Sequence, residues 1–223
     1  MNQIKIALKS TEEPRSYSVK RFEELFGIRY FPHLEFADWQ VEHWVRKKCK
    51  RAYEKGRIGQ LALWLGKLHG RQIEEAAIPD LAIRWIDEKI GYGAFTTRSF
   101  KKWEYIGEYT GVLRKRQLLF PNINDYCFMY PREWISLTPL TIDSDAQGSL
   151  TRFINHSDYP NCESVAVFHD GIYHIIFRTT QEIPAYTELK YDYGDIYWRR
   201  RRKLAEEPIE SLIDPDDLKK IQE

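Results

Sequence analysis

Cysteine, methionine and net charge are scarce in this 223-residue chain, which has three cysteines, two methionines and a formal charge of +1. Cys49, Cys127 and Cys162 lie far apart with no CxxC pair. That spacing excludes a cysteine zinc cluster, gives no disulfide framework and points to a reducing compartment. Near-neutral charge supplies no whole-molecule field toward nucleic acid or a membrane surface. No apolar run reaches membrane-spanning length, and the start Met1-Asn2-Gln3-Ile4-Lys5 has no hydrophobic stretch of the kind found in a cleaved signal. The expectation is a soluble protein, cytoplasmic or nuclear. Export into another cell by a route that needs no apolar signal would leave the same sequence.

Aromatic residues are abundant, with 7 Trp, 14 Tyr and 11 Phe along the whole length, which argues for a folded chain with a dense core or ring-lined sites. The length suits one domain with helical extensions. Residues 1–79 read as an N-terminal helical region. Val19, Phe22, Leu25 and Phe26 share a face that stops at Gly27, Asp38 caps a helix running to Gly56, and Ile58, Leu61, Ala62, Leu65 and Leu68 repeat up to a stop at His69-Gly70. From Pro79 the pattern changes to short runs rich in Ile, Val, Tyr and Phe, broken by Gly, Pro, Asn and Asp, as expected for small strands. Ser164–His169 and Ile172–Thr179 flank Asp170-Gly171 and form a hairpin. A helical segment returns over 196–223, with breaks at Pro208 and Asp214-Pro215.

Four segments carry polar chemistry. Gly91-Tyr92-Gly93 has neither the third glycine nor the GK[ST] of a phosphate loop, and Ala94-Phe95 continues as strand. Glu108-Tyr109-Thr110-Gly111 sits in an apolar run from Tyr105 to Leu113 that alone reads as a core strand. Arg152-Phe153-Ile154-Asn155-His156-Ser157 with Pro160-Asn161 sets buried-type donors and acceptors beside an apolar pair, either a backbone-capping knot or a ligand site. Glu188-Leu189-Lys190-Tyr191-Asp192-Tyr193 ends at Gly194, where the chain can turn.

In order and spacing these segments resemble the SET-domain lysine methyltransferases, whose pattern is GxG, EYxG, RFxNHSxxPN and ELxxDY. The match covers about residues 80–195. The resemblance implies an α+β fold of several small sheets with a C-terminal pseudoknot, and S-adenosylmethionine as cofactor. Gly91, Tyr92 and Gly93 would hold its methionine part, and Asn155 and the His156 main chain its amino and adenine portions. Tyr193 would be the principal catalytic tyrosine, Tyr109 would line a lysine channel, and Tyr191 would stand where families alternate Phe and Tyr. Arg152 would support the fold. No metal is implied. The substrate would be a protein presenting a lysine, a histone or histone-like basic protein foremost.

Ser149, Asp158, Val112 and Tyr186 stand where the pattern usually has Asn, Cys, Glu and Gly. With no CxC…C after Gly194 the zinc-bound lid is missing, so Tyr197 or Trp198 is expected to cover the channel and adenine, a role as open to plain core packing. Two rival functions follow: a catalytically weak SET fold that binds a peptide or partner, and a DNA-associated protein using the basic residues of Arg46–Arg57 and Arg199–Lys203. The N-terminal helices are left with contact to substrate or to a second copy in a homodimer.

Overall fold

The computed structural model describes residues 3–116, 124–131, 139–195 and 197–198. They divide into two units, Met1–Tyr191 and Asp192–Glu223. Pro208, Asp214-Pro215 and the Arg199–Lys203 run lie outside the described residues, as does most of the expected 196–223 helical segment.

The first unit opens with β1 (Gln3–Ala7), β2 (Arg15–Ser18) and α1 (Val19–Phe26). Ser18 Oγ accepts the Arg21 N–H at 3.2 Å to begin α1, a cap absent from the sequence expectations, and the expected stop at Gly27, φ 65°, ends it. Two short strands, β3 (Arg29–Tyr30) and β4 (Glu35–Phe36), precede α2 (Trp39–Glu54), whose N-cap Asp38 accepts the Val41 N–H at 2.7 Å. α3 (Gln60–Glu75) corrects one expectation: it runs through His69-Gly70 and stops at Ala76. Gly70 is interior because α3 lies against the strands behind it, where a β-carbon would sit 2.5 Å from the His169 ring.

A second correction concerns the expected helical region over 1–79. Its four strands are built into sheets with later segments. β1 pairs parallel with β5 (Leu81–Asp87), which pairs antiparallel with β6 (Gly91–Thr96). The apolar run Tyr105–Leu113 is two strands, β7 (Tyr105–Glu108) and β8 (Val112–Lys115), separated by Gly111 at φ 154° and belonging to different sheets. β4 pairs parallel with β8, and β9 (Cys127–Met129) and β10 (Leu140–Asp143) complete that sheet. β3 pairs with β11 (Gln147–Gly148). After a 3₁₀ turn over Leu150–Phe153 come β12 (Asn155–His156), the expected hairpin of β13 (Cys162–His169) and β14 (Ile172–Thr179), and β15 (Lys190–Tyr191). β14 pairs with β7, and β12 with β15. The fold is α+β, several small mixed sheets with three helices among the described residues. None of these helices is long and apolar enough to cross a membrane.

One extensive core joins Ile4, Phe22, Val45, Ile83, Leu113, Ile142 and Phe177, while Leu65 and Ile73 of α3 close a smaller one with Val167 and Ile176 of the hairpin. The alternation of buried residues along β1 and the continuous burial of β14 follow from one covered face and two.

Asp143 at the end of β10 accepts from Arg114 Nε at 2.8 Å, Asn124 Nδ2 at 2.9 Å and the Asp145 N–H at 3.1 Å. Burial opposes its charge, yet these hydrogen bonds from Asn124, Arg114 and Asp145 outweigh it and hold the carboxyl below its ordinary pKa. The stability it contributes is therefore present above its unfolded value of about 3.9 and lost as pH falls through the folded one. Asp143→Asn should cost about 2–4 kcal/mol at pH 7 by removing the carboxylate that Arg114 Nη2 pairs with at 2.7 Å. Denaturant titrations should find the difference vanishing toward low pH; a gap independent of pH would refute the assignment.

Tyr186, at the place where the family pattern has Gly, is held at φ 64° by its N–H to the Thr96 carbonyl at 2.8 Å, with its side chain exposed. That left-handed backbone explains the preference for Gly. Tyr186→Gly should leave melting unchanged or raise stability by up to about 1 kcal/mol, while Tyr186→Val should lower it by about 1 kcal/mol.

Candidate active site

The β5–β6 ladder shifts register between Trp85 and Asp87, so Trp85 opposes Tyr92 and Asp87 opposes Gly91. Asp87 Oδ1 accepts the Lys89 and Ile90 N–H groups at 2.9 and 2.7 Å and shapes the turn before Gly91. The Tyr92 ring meets Phe26 of α1 edge-on at 4.8 Å and Trp85 at 5.1 Å. Gly93 is buried beneath polar groups. A β-carbon there would lie 2.7 Å from Ile86 Cδ1, 3.0 Å from Asn155 Nδ2 and 3.1 Å from Glu188 Oε1. Asn155 Nδ2 donates at 3.3 Å to both the Tyr92 carbonyl and Glu188 Oε1, and Glu188 Oε2 pairs with Lys190 Nζ at 2.8 Å. Gly93, Asn155 and Glu188 thus form one cradle from three segments that are distant in sequence.

The two C-terminal motifs are knitted together. In the parallel β12–β15 pair Asn155 faces Lys190 and His156 faces Tyr191. The Asn161 carboxamide acts as a further strand edge, donating to the Glu188 carbonyl at 2.8 Å and accepting the Lys190 N–H at 2.9 Å. On the other side Leu189 N–H donates to the Ala94 carbonyl at 2.8 Å. The Glu188–Lys190 stretch therefore lies between β6 and Asn161. Both departures beside this knot have partners. Ser149 Oγ donates to the Glu108 carbonyl at 2.5 Å and shares a 2.8 Å bond with Thr151 Oγ1, while Asp158 Oδ1 lies 3.3 Å from His156 Nε2.

Tyr109 is buried at 5 % exposure, and its hydroxyl donates to the Tyr126 carbonyl at 2.6 Å. Its ring lies 5.3 Å from Phe128 and 6.3 Å from Phe177, and Tyr191 meets Phe177 edge-on at 4.8 Å. Phe177, fully buried in β14, is thus a wall shared by two of the three expected tyrosines. Behind it Glu108 Oε1 meets His174 Nδ1 at 2.7 Å, with both side chains buried. The Tyr105 hydroxyl is pushed above its ordinary pKa by burial and then by the Glu108 charge. Arg152 is buried, its guanidinium 3.8 Å over the Tyr126 ring, and burial pulls its pKa down.

Tyr193 and Trp198 fall in the C-terminal unit. There the Tyr193 ring meets Tyr197 edge-on at 4.7 Å, Tyr197 meets Trp198 at 5.1 Å, and Gly194, at φ 79°, donates its N–H to Asp192 Oδ1 at 2.8 Å. The site contains two residues that the sequence left without a role: Phe177, hidden in an apolar strand, and Glu188, whose place after Tyr186-Thr187 was visible but whose partner Asn155 was not.

The family described as SET domain matches residues 91–194, the span holding the glycine lip, the knot and the tyrosines. Residues 91–194 are a SET domain. Among relatives, N-lysine methyltransferase KMT5A of Xenopus tropicalis is 29% identical over 190 residues, which are 79% of this chain and 51% of that protein. Histone-lysine N-methyltransferase EZA1 of Arabidopsis thaliana is 33% identical over 110 residues, 46% of this chain and 12% of that protein. Among solved structures, the crystal structure of KRYPTONITE in complex with mCHH DNA, H3(1-15) peptide and SAH matches with a TM-score of 0.43 and 26% identity, over 53% of this chain and 24% of that one. The chain spans about half the length of the KMT5A relative and less of the others. The SET domain here thus has its glycine lip on β6, its knot on β12 and β15, and the Tyr109 and Tyr191 rings packed against Phe177 of β14.

Proposed function

We propose that this chain is an S-adenosylmethionine-dependent N-methyltransferase acting on lysine side chains of proteins. The observation that carries the reading is the β12–β15 register. Asn155 of the cradle faces Lys190 and the next pair brings in Tyr191 of the aromatic wall, so the two halves abut within about one strand residue, roughly 3.3 Å. A cofactor held on one side and an amine on the other meet at that line.

The residues fit the cofactor. Gly91 has φ 80° and open space where a β-carbon would be, so its backbone is accessible, and Gly93 keeps the floor free of a side chain. Asn155 spends its Nδ2 on Tyr92 and Glu188. Its carbonyl oxygen is the end offered to an amino group, with the His156 main chain beside it. When bound, the cofactor supplies a methyl group on a cationic sulfonium. The aromatic faces of Tyr109 and Tyr191, backed by the buried Phe177 ring, stabilise a cation and exclude water. A free lysine, with a pKa of about 10.4, must lose its proton first, and a water-poor aromatic channel favours the neutral amine. The same walls align the nitrogen for in-line attack. Tyr193 is assigned to orientation and charge stabilisation, and Tyr197 or Trp198 to covering the channel.

The names of the KMT5A and EZA1 relatives support lysine, and histone or histone-like proteins, as the substrate class. Of Ser149 and Asp158, which keep the binding-module alternative open, Ser149 bonds the Glu108 carbonyl and the exposed Asp158 lies 3.3 Å from His156 Nε2. Labelled methyl transfer from S-adenosylmethionine to pools of basic proteins, followed by mapping of the modified lysine, tests the proposal. Transfer is expected, and Asn155→Ala should weaken cofactor binding about tenfold or more by removing a charge-assisted contact. Cofactor binding with no transfer to any pool would establish the binding module instead.

A further inference from the structure

Away from the tyrosine wall, α2, α3 and the tip of the β13–β14 hairpin enclose a concavity of about 510 Å³ that shares no residue with the glycine cradle or the aromatic wall. Its size falls in the roughly 300–1,000 Å³ range of small-ligand pockets. The walls are close-fitting: a β-carbon at Gly66 would collide with the Phe168 carbonyl, so only glycine lets α3 lie against the hairpin here.

The floor is an aromatic platform. Tyr53 stacks on Phe168 at 5.8 Å and 5°, and Phe168 is backed edge-on by Tyr173 at 5.3 Å in the core. Tyr53 nevertheless keeps 57% of its surface exposed, presenting a ring fixed from behind to whatever enters. Charge on the lining is unequal. Arg46 is committed to structure, bonding Glu42 Oε1 at 2.9 Å and the Asp170 carbonyl at 3.1 Å, with Asp170 Oδ2 at 3.6 Å. It thereby offsets Asp170, the one carboxylate of the lining. Lys50 and Lys67 remain in surplus, the first in a solvent-exposed pair with Glu54 at 4.0 Å, of the kind that yields readily to a competing anion.

We propose that this pocket binds a small organic anion carrying a planar ring, the ring on Tyr53 and the anionic group between Lys50 and Lys67. Two surplus cations beside one ring fit a single anionic group, whereas a nucleic-acid backbone needs a row of phosphate contacts. Offset stacking on Tyr53 and two charge-assisted contacts act together only when ring and anion are linked.

The probe is 1-naphthyl phosphate, titrated by calorimetry into the full chain with excess S-adenosylhomocysteine present, so that an adenosine site cannot take it up. It is expected to bind, with 2-naphthol and inorganic phosphate each about tenfold weaker or worse. The double variant Lys50→Glu/Lys67→Glu and the single variant Tyr53→Ala should each weaken it by about tenfold, while Lys47→Glu, on the same helix but outside the pocket, should leave it unchanged. These positions are exposed, and melting temperatures check that the variants fold. The proposal is overturned by absence of binding at millimolar probe, by equal affinity in the charge-reversed variant, or by a Glu-rich peptide binding the pocket where the probe does not. None of these outcomes depends on methyl transfer.

Discussion

Phe177→Ala is expected to lower the unfolding free energy by about 3–5 kcal/mol, because a fully buried ring leaves a cavity that neighbouring strands cannot collapse to fill. The more informative variant is Phe177→Leu, which keeps most of the volume and should cost less than about 1.5 kcal/mol. Tyr109 follows β7 and Tyr191 lies in β15, two strands of different sheets, and Phe177 is the ring both touch. A leucine cannot offer Tyr191 the same edge-to-face contact or Tyr109 the same tilted ring. Displacing aligned groups by about 1 Å can cost about a hundredfold in rate, so kcat/KM for methyl transfer should fall by roughly ten- to a hundredfold in a protein that melts nearly as wild type. Full activity in Phe177→Leu would mean that the tyrosines are positioned by other contacts and that Phe177 is core and nothing more.

What the sequence disclosed and what it hid divide along a physical line. Local signals were legible: Asp38 as a cap, Gly27 as a stop, and Asp170-Gly171 as the hairpin turn all act within a few residues of themselves. The motif order was legible too, since the order and spacing of Gly91–Gly93, Arg152–Asn161 and Glu188–Tyr193 suffice for the resemblance. Long-range pairing was not. Nothing local marks Gln3–Ala7 as a strand that pairs parallel with Leu81–Asp87, or Glu35–Phe36 as an edge to β8, so the N-terminal region read as helical throughout. His69-Gly70 misled for the same reason: a glycine that looks like a stop is there to let α3 approach His169, a neighbour about a hundred residues away. Glu188 and Phe177 needed their partners in view. A carboxylate becomes part of a cradle once Asn155 is beside it, and a core phenylalanine becomes a wall once a tyrosine stands on either side.

Tyr193→Phe should remove one positioned hydroxyl and little else, since the ring remains to meet Tyr197. If that hydroxyl orients the amine and stabilises charge at the transferring methyl, its loss should lower kcat by about 10²–10³, the usual cost of deleting one preorganised polar contact to a transition state, with cofactor affinity nearly unchanged. Tyr191→Phe should behave differently. Its ring packs edge-on against Phe177, and on the proposed reading its hydroxyl would hold a water and restrict space beside the amine. Wild type should therefore give mostly mono- or dimethyl-lysine, and Tyr191→Phe should shift mass spectra of the product toward higher methylation with a smaller change in rate. A wild-type enzyme that already yields trimethyl-lysine, or a product distribution unmoved by Tyr191→Phe, would assign that hydroxyl to the fold. A Tyr193→Phe enzyme with full kcat would place the charge-stabilising oxygen elsewhere, with Tyr109 as the next tyrosine to test, although its hydroxyl is already given to the Tyr126 carbonyl.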